Sequence, residues 1–297
     1  MGCNAPQGID LHIHSTASDG TLSAGEILSL ACKLGLGAIS ITDHDTTAGA
    51  REALAAGIPA SLEFLTGIEI SAGPPGSVSV DGSLHILGYG LQIDHPQLCR
   101  ELSRLQQARR QRLPQMLERL RRLGFDLTWE EVRREVGRGQ PGRPHLARGL
   151  LKKGIVSSVD EAFERFLASG RPAYVEKYRL PADQAIALIR QAGGIAVLAH
   201  PYLLRIRDRQ RFETLVADLK DAGLEGIEVF YPEHPPAETS YYSRLAERLG
   251  LVQTGGTDFH GSLKPKLQMG SADGGFFVPC SIYDELSSRL AGRSEGS

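Results

Sequence analysis

With 297 residues, 41% hydrophobic and 23% charged, the chain has the make-up of a globular protein that can bury one large core or two modest ones. Its net charge of −2 hides an asymmetry: residues 96–179 hold 19 Lys and Arg against 10 Asp and Glu, the rest 14 against 25, so a basic segment is set in an acidic body. No apolar run approaches the ~20 residues of a membrane span, and Met1-Gly2-Cys3-Asn4-Ala5-Pro6 lacks the basic and apolar regions of a signal peptide, so a cytoplasmic protein is expected.

Ile9-Asp10-Leu11-His12-Ile13-His14 alternates strictly and is predicted as a strand, with Asp10, His12 and His14 on one face. A helix follows, opened by the capping box Ser23-Ala24-Gly25-Glu26, striped by Ile27, Leu28, Ala31 and Leu34, and ended by Gly35. Ala38–Thr42 is a short buried strand and Thr47–Ala56 a helix. Further strands are expected at Phe64–Ile70, Leu84–Tyr89, Ile195–Ala199, Gly226–Phe230 and Leu251–Thr254, with helices at Ala182–Gln191, Arg211–Ala222, Ala237–Leu249 and Ser281–Leu290. This alternation argues for an α/β fold with a mainly parallel sheet, open or closed into a barrel. Between about Asp94 and Leu180 the pattern turns all-helical, at Gln97–Leu123, Thr128–Val136, Pro144–Lys153 and Val159–Ala168. The expected division is therefore a barrel from residues 1–94 and 181–297, with an inserted basic helical cap domain at 95–180 that overhangs the barrel mouth. Cys3, Cys32, Cys99 and Cys280 form no C-x-x-C pair and are expected to be reduced structural thiols, which disfavours a cysteine zinc site.

The chemistry-bearing residues recur at strand ends. His12 and His14 end the first strand, with Asp19 in the next loop; Thr42-Asp43-His44-Asp45 follows the second; Gly67-Ile68-Glu69 ends the third. His85 lies in the fourth, Ala199-His200-Pro201 ends the fifth, and Thr257-Asp258-Phe259-His260 follows the last. Each motif alone is weak, since an H-x-H pair is usually two ordinary histidines. Together, six histidines, two aspartates and a glutamate gathered at one end of a sheet would be costly without a cation, because clustered carboxylates repel and buried imidazoles need partners. Imidazole and carboxylate suit Mn, Fe or Zn. Single histidines such as His95 and His234 are read as surface or cap residues, and Asp43 either orients a ligand or serves a turn or cap.

These segments, in this order, resemble the PHP (polymerase and histidinol phosphatase) superfamily over nearly the whole chain outside the insertion. The insertion, with Gly142-Arg143-Pro144-His145-Leu146-Ala147-Arg148, looks like that of the small bacterial branch of 5′-nucleotide, 3′,5′-bisphosphate and RNA 5′-end phosphoesterases. The resemblance implies a distorted seven-stranded (β/α)7 TIM-like barrel holding two or three divalent ions (Mn, Fe or Zn). It also implies ligand sets. His12, His14, Glu69 and Asp258 hold one ion. Glu69 bridges to a second, held also by His85 and His200. Asp19, His44 and His260 hold a third. Glu69, His200 and Asp258 are the residues expected to be catalytic.

The expected reaction is hydrolysis of a nucleotide phosphate ester, of 5′-AMP, a 3′,5′-bisphosphate or short 5′-phosphorylated RNA, by a hydroxide held between two ions. Arg143, His145 and Arg148, spaced as at a helix start, are candidates for binding phosphate, with Arg171 and Lys177 where the chain returns to the barrel. The bland alternative for most arginines is a solvated helix face. Tyr174 or Tyr202 could stack a base, although packing is the commoner role. Partners are expected to be a nucleotide or single-stranded RNA, with no membrane and no stable protein partner. Alternatives are a histidinol-phosphate-type phosphatase, a metal-dependent amidohydrolase, or a non-catalytic module that binds metal or nucleic acid.

Overall fold

The computed structural model describes residues 8–76, 80–135, 142–264, 267–271 and 275–294. The chain divides into two compact units, one of residues 1–102 and 179–297 and the other of residues 103–178.

In the first unit, β1 (Ile9–Ile13), β2 (Ala38–Ile41) and β3 (Glu63–Gly73) pair in parallel, joined by α1 (Ala24–Leu34) and α2 (Ala48–Ala56). The expected punctuation of α1 is present. Ser23 accepts the Glu26 N–H, Glu26 takes the Ser23 N–H in return, and Gly35 closes the helix at φ 71°. A cap of this kind contributes about 1 kcal/mol. Fully burying Ile27 on the core face contributes roughly 1.5–3 kcal/mol more.

Next comes β4 (Leu84–Tyr89), which is antiparallel to β3 and also to β6 (Ile195–Leu198). The parallel order then resumes through α8 (Arg209–Asp221), β7 (Gly226–Phe230), α9 (Pro236–Leu249) and β8 (Val252–Gly255), and α10 (Cys280–Ser294) follows. A two-residue strand, β5 (Leu180–Pro181), pairs beside β3 and leads into α7 (Ala182–Gln191). The sheet order is β1-β2-β3-β4-β6-β7-β8.

The two ends of this order meet, so the sheet is curled. Phe259 N–H donates to the His12 carbonyl at 3.2 Å and His14 N–H to the Phe259 carbonyl at 2.9 Å. Every residue of β1 is buried, so its polar face is interior as well as its apolar one. Ile9 and Leu11 pack with Leu87, Tyr89, Val197 and Leu286, whereas Ile13 packs with Ile27, Ile39 and Ile41 under α1.

The second unit is helical. It contains most of α3 (Pro96–Arg122), then α4 (Trp129–Arg134), α5 (Arg143–Lys152) and α6 (Val159–Ala162), the last continuing into a π-helical turn at Phe163–Leu167. Met116, Leu120, Val132, Leu146, Leu150 and Leu167 form its own apolar core.

The cysteine expectation is corrected in part: Cys32 and Cys99 are free, but Cys280 is disulfide-bonded, and Cys3 lies outside the described residues. Sequence spacing hides such pairs because the fold brings distant segments together; Ile9 N–H donates to the Val278 carbonyl. Among the described residues no helix is long and apolar enough to cross a membrane.

Candidate metal centre

The parallel strands deliver their C-terminal ends to one edge of the sheet, and the reversal at β4 delivers His85 to the same edge. Because β4 is antiparallel, His85 near its start stands in register with Ser71 of β3, just beyond Glu69. The segment after β2 leaves the sheet but stays paired with β3. Glu69 N–H donates to the Asp43 carbonyl and Asp45 N–H to the Glu69 carbonyl, which sets His44 beside Glu69. Asp45, at φ 55°, locks this turn by accepting the Ser71 N–H and hydroxyl.

Close backbone approach explains two motif glycines. A Cβ at Gly256 would lie 2.3 Å from the His12 amide nitrogen, and one at Gly20 would lie 2.1 Å from the His14 carbonyl oxygen. His200 and Asp258 hold left-handed backbones, at φ 27° and 54°, a conformation that costs non-glycine residues energy and recurs at functional sites.

All nine expected ligands converge. Glu69 Oε2 lies 3.3 Å from His14 Nε2, 3.6 Å from His12 Nε2 and 2.8 Å from His44 Nδ1. Its Oε1 lies 2.8 Å from His85 Nδ1 and 2.9 Å from His200 Nε2. Asp258 Oδ1 is 3.1 Å from His14 Nε2, 3.5 Å from His12 Nε2 and 3.4 Å from His260 Nδ1. Asp19 reaches His14 Nδ1 at 3.6 Å, His44 Nε2 at 3.7 Å and His260 Nε2 at 3.4 Å.

Among the described residues, three groups are compact enough to hold an ion: His14, Asp19, His44 and His260; His12, His14 and Glu69; and His44, Glu69 and His85. Glu69 belongs to two groups, in line with the bridging role the resemblance implied, but so do His14 and His44, so the ligands are shared more widely than expected. A cation fits this donor set. His12 Nε2, His14 Nε2, His44 Nδ1, Glu69 Oε2 and Asp19 Oδ1 are buried with no hydrogen-bond partner among the described residues, a costly arrangement for protein groups alone.

Charge coupling is strong. Burial opposes ionisation of Glu69 and Asp258, yet the surrounding imidazoles hold both carboxyls well below the usual carboxylate range. Burial also opposes charging of His14, but Asp258 and Glu69 override it and raise its pKa to about 10. His85, desolvated and beside His44 and His200, falls to about 4 despite Glu69.

Several residues behind the ligands were not foreseen. Glu228, fully buried in β7, accepts His12 Nδ1–H at 2.8 Å and the His200 N–H at 2.6 Å, fixing a tautomer and a strained backbone together. Its signal was a lone Glu in the apolar run of β7, since a carboxylate is rarely buried unpaired. Tyr231 and Lys264 both donate to Asp258 Oδ2, at 3.0 and 2.6 Å. Asp10 accepts from the His12, Thr257 and Gly270 amides and from the Thr257 hydroxyl. Asp43, for which the sequence offered either a ligand-orienting or a turn role, accepts from the Ser15 amide and hydroxyl and from the Ser18 hydroxyl, which lies 3.4 Å from His14 Nδ1, so it steadies the loop behind a ligand. His234 is no surface residue: it is buried, with Nδ1 on the Val229 carbonyl and its ring 5.1 Å from that of Tyr231.

In the helical unit, Arg143 donates to the Leu167 carbonyl and sits over Phe163 and Tyr174, 5.6 Å from each ring centre. His145 Nδ1 accepts the Gly142 N–H at 2.9 Å, which leaves Nε2 as the proton-bearing, donating nitrogen. Arg148 and Arg171 are exposed and Lys177 is half-buried.

Imidazoles and carboxylates gathered at one edge of a curled α/β sheet define the class of a candidate metallohydrolase. The chain belongs to the PHP domain family, which matches residues 10–221. It is 35% identical over 257 residues to the 5′-3′ exoribonuclease Rnm of Escherichia coli, covering 84% of each chain. To the 3′,5′-nucleoside bisphosphate phosphatase of Chromobacterium violaceum it is 31% identical over 283 residues, covering 95% of this chain and 97% of that one. A solved structure from Bifidobacterium adolescentis, named as a metal-dependent phosphoesterase, superposes with a TM-score of 0.75 at 31% identity, covering 96% and 98% of the two chains. Relatives named as an exoribonuclease and a phosphatase over more than four-fifths of the chain make it a hydrolytic phosphoesterase.

Proposed function

We propose that the protein hydrolyses phosphate esters of nucleotides, either a mononucleotide carrying one or two phosphates or the 5′ end of short RNA, with two or three bound Mn, Fe or Zn ions. The observation that carries this reading is Glu69, one buried carboxylate met on both oxygens by five imidazoles. His12, His14, Glu69 and Asp258 would hold one ion, Glu69, His85 and His200 a second, and Asp19, His44 and His260 a third. When bound, such ions lower the pKa of water and neutralise charge on phosphoryl oxygens. Glu228 keeps His12 in the tautomer that turns Nε2 toward Glu69, and Tyr231 and Lys264 hold Asp258 in place. The curled sheet is the distorted seven-stranded barrel of the resemblance. The helical unit is a basic cap, with His145, Arg148, Arg171 and Lys177 offered to substrate phosphate and Arg143 placed by its aromatic neighbours.

The test is phosphate release from AMP, adenosine 3′,5′-bisphosphate and 5′-phosphorylated oligoribonucleotides, with Mn²⁺ added or chelated, in the wild type and Glu69→Gln. Mn²⁺-dependent release is expected. Its loss in Glu69→Gln should exceed the roughly 10–100-fold typical of residues behind metal ligands. Turnover of amides but of no phosphate ester would replace this reading with that of an amidohydrolase.

A further inference from the structure

Shortly after Asp258 the chain turns back and brings a lysine to that carboxylate. The return is a 3₁₀ turn, Gly261–Leu263, with Gly261 at φ 67° and the Lys264 N–H on the Gly261 carbonyl at 3.2 Å. Thr21, close in sequence to the expected ligand Asp19, fixes the turn. Its hydroxyl accepts the Ser262 N–H at 3.0 Å and donates to the His260 carbonyl at 3.4 Å. No side chain fits at position 261, since a Cβ there would lie 2.0 Å from the Thr21 hydroxyl oxygen. Lys264 is thereby aimed at Asp258, with Nζ 2.6 Å from Oδ2.

Asp258 therefore differs from Glu69. Both oxygens of Glu69 face imidazoles. Asp258 turns Oδ1 to the imidazoles of His12, His14 and His260, while Oδ2 takes the Tyr231 hydroxyl at 3.0 Å and the Lys264 ammonium. These two donors act differently. Tyr231, buried just past the end of β7, orients the carboxylate without adding charge. An ammonium has three donors and no lone pair, so Lys264 does not ligate an ion and instead places a positive charge beside one. Among the described residues it is the one lysine or arginine paired with an expected ligand carboxylate.

We propose that Lys264 is a positioning residue that loosens the ion Asp258 serves: with Tyr231 it occupies Oδ2, leaving Oδ1 for the ion, and its charge repels that ion. The inference rests on the metal-dependent reading of the centre and adds an ion held less tightly than its ligands alone would hold it. A carboxylate paired with a lysine attracts a divalent cation less than a free one does. Lys264 is 32% exposed, so solvent screens part of the repulsion, and the effect on affinity is on the order of 10-fold.

The experiment titrates the metal-free protein with Mn²⁺ in competition with a chelating dye, for the wild type, Lys264→Met, Lys264→Arg and Tyr231→Phe. The thermal midpoint of each metal-free protein checks folding, and Asp258→Asn marks the ion concerned as the one it loses. Lys264→Met should bind that ion roughly 10-fold more tightly, because the repelling charge is gone and Tyr231 still holds the carboxylate. Lys264→Arg, which keeps charge and donors, should restore the wild-type value. Tyr231→Phe should act in the opposite direction and weaken binding, since it removes an orienting hydrogen bond and leaves the charge. A lysine that merely holds structure would weaken binding when lost, as Tyr231→Phe does. Equal or weaker binding in Lys264→Met therefore overturns the proposal while leaving the metal-dependent reading intact. Should Lys264→Met not fold, Lys264→Gln, which keeps an N–H donor without the charge, decides by the same sign. A wild type that binds no Mn²⁺ would remove the metal-dependent reading itself, and this proposal with it.

Discussion

The two units handle charge in opposite ways. In the sheet-bearing unit, Asp10, His12, His14, Glu69 and Glu228 are all at most 1% exposed and are held by one another. Among the described residues, no buried polar or charged side chain lies in residues 103–178. There the charges sit outside as short-range pairs, such as Arg121 with Glu118 at 2.8 Å and Arg165 with Glu161 at 2.6 Å, around an apolar core. Exposed pairs of this kind contribute little to stability, whereas buried polar networks fail when one member is lost. The stability of the helical unit therefore tolerates changes of surface charge, whereas that of the sheet unit depends on its interior network.

The largest effect expected from breaking this contrast is on stability. Leu150→Ala in the helical core should cost about 2–5 kcal/mol, read as a lowered denaturation midpoint, with metal content per folded chain unchanged. A parallel loss of metal would mean that the two units are not energetically separate.

Next, Glu228→Gln should weaken metal affinity roughly 10–100-fold while leaving circular dichroism intact, because it alters the acceptor behind His12 without removing a ligand. An unchanged affinity, measured by competition with a chelating dye, would reduce Glu228 to a packing residue.

The smallest effect concerns protons. With its pKa raised to about 10, His14 in the metal-free protein contributes stability that is full below about 6.5 and lost as pH rises through 10. Metal needs the neutral imidazole, so uptake between these limits should release up to about one proton from His14, and affinity should climb with pH across the same window. Calorimetry at pH 7.5 in two buffers of different ionisation enthalpy measures this, and identical heats would refute it.

Much of the site was legible because period two is a local signal. Asp10, His12 and His14 could be assigned to one face of β1 from six residues, and Ser23 and Glu26 mark the start of α1 without reference to the rest of the chain. The direction of β4 was not legible, since alternation is the same read either way, and a two-residue strand such as β5 has no period at all. Glu228, Tyr231 and Lys264 were missed for a different reason. Their roles consist of contacts to His12, His200 and Asp258 from other strands or loops, and no spacing within their own segments encodes that. Cys280 shows the same limit, as does His234, which is covered by Tyr231 of its own loop and by Tyr202 and Tyr242 from two other segments.

The closure of the sheet onto its first strand has a consequence in time. Asp10 accepts a hydrogen bond from the Gly270 amide, 260 positions away, and His12 meets Asp258 and Glu228. On the ribosome, the first histidines emerge long before the carboxylates that hold them. The complete cluster of nine residues forms only once residues near 260 are synthesised and the ends of the sheet have met, a non-local step of the kind that slows folding. Any ion that needs Asp258 or His260 as a ligand would therefore be taken up late in synthesis.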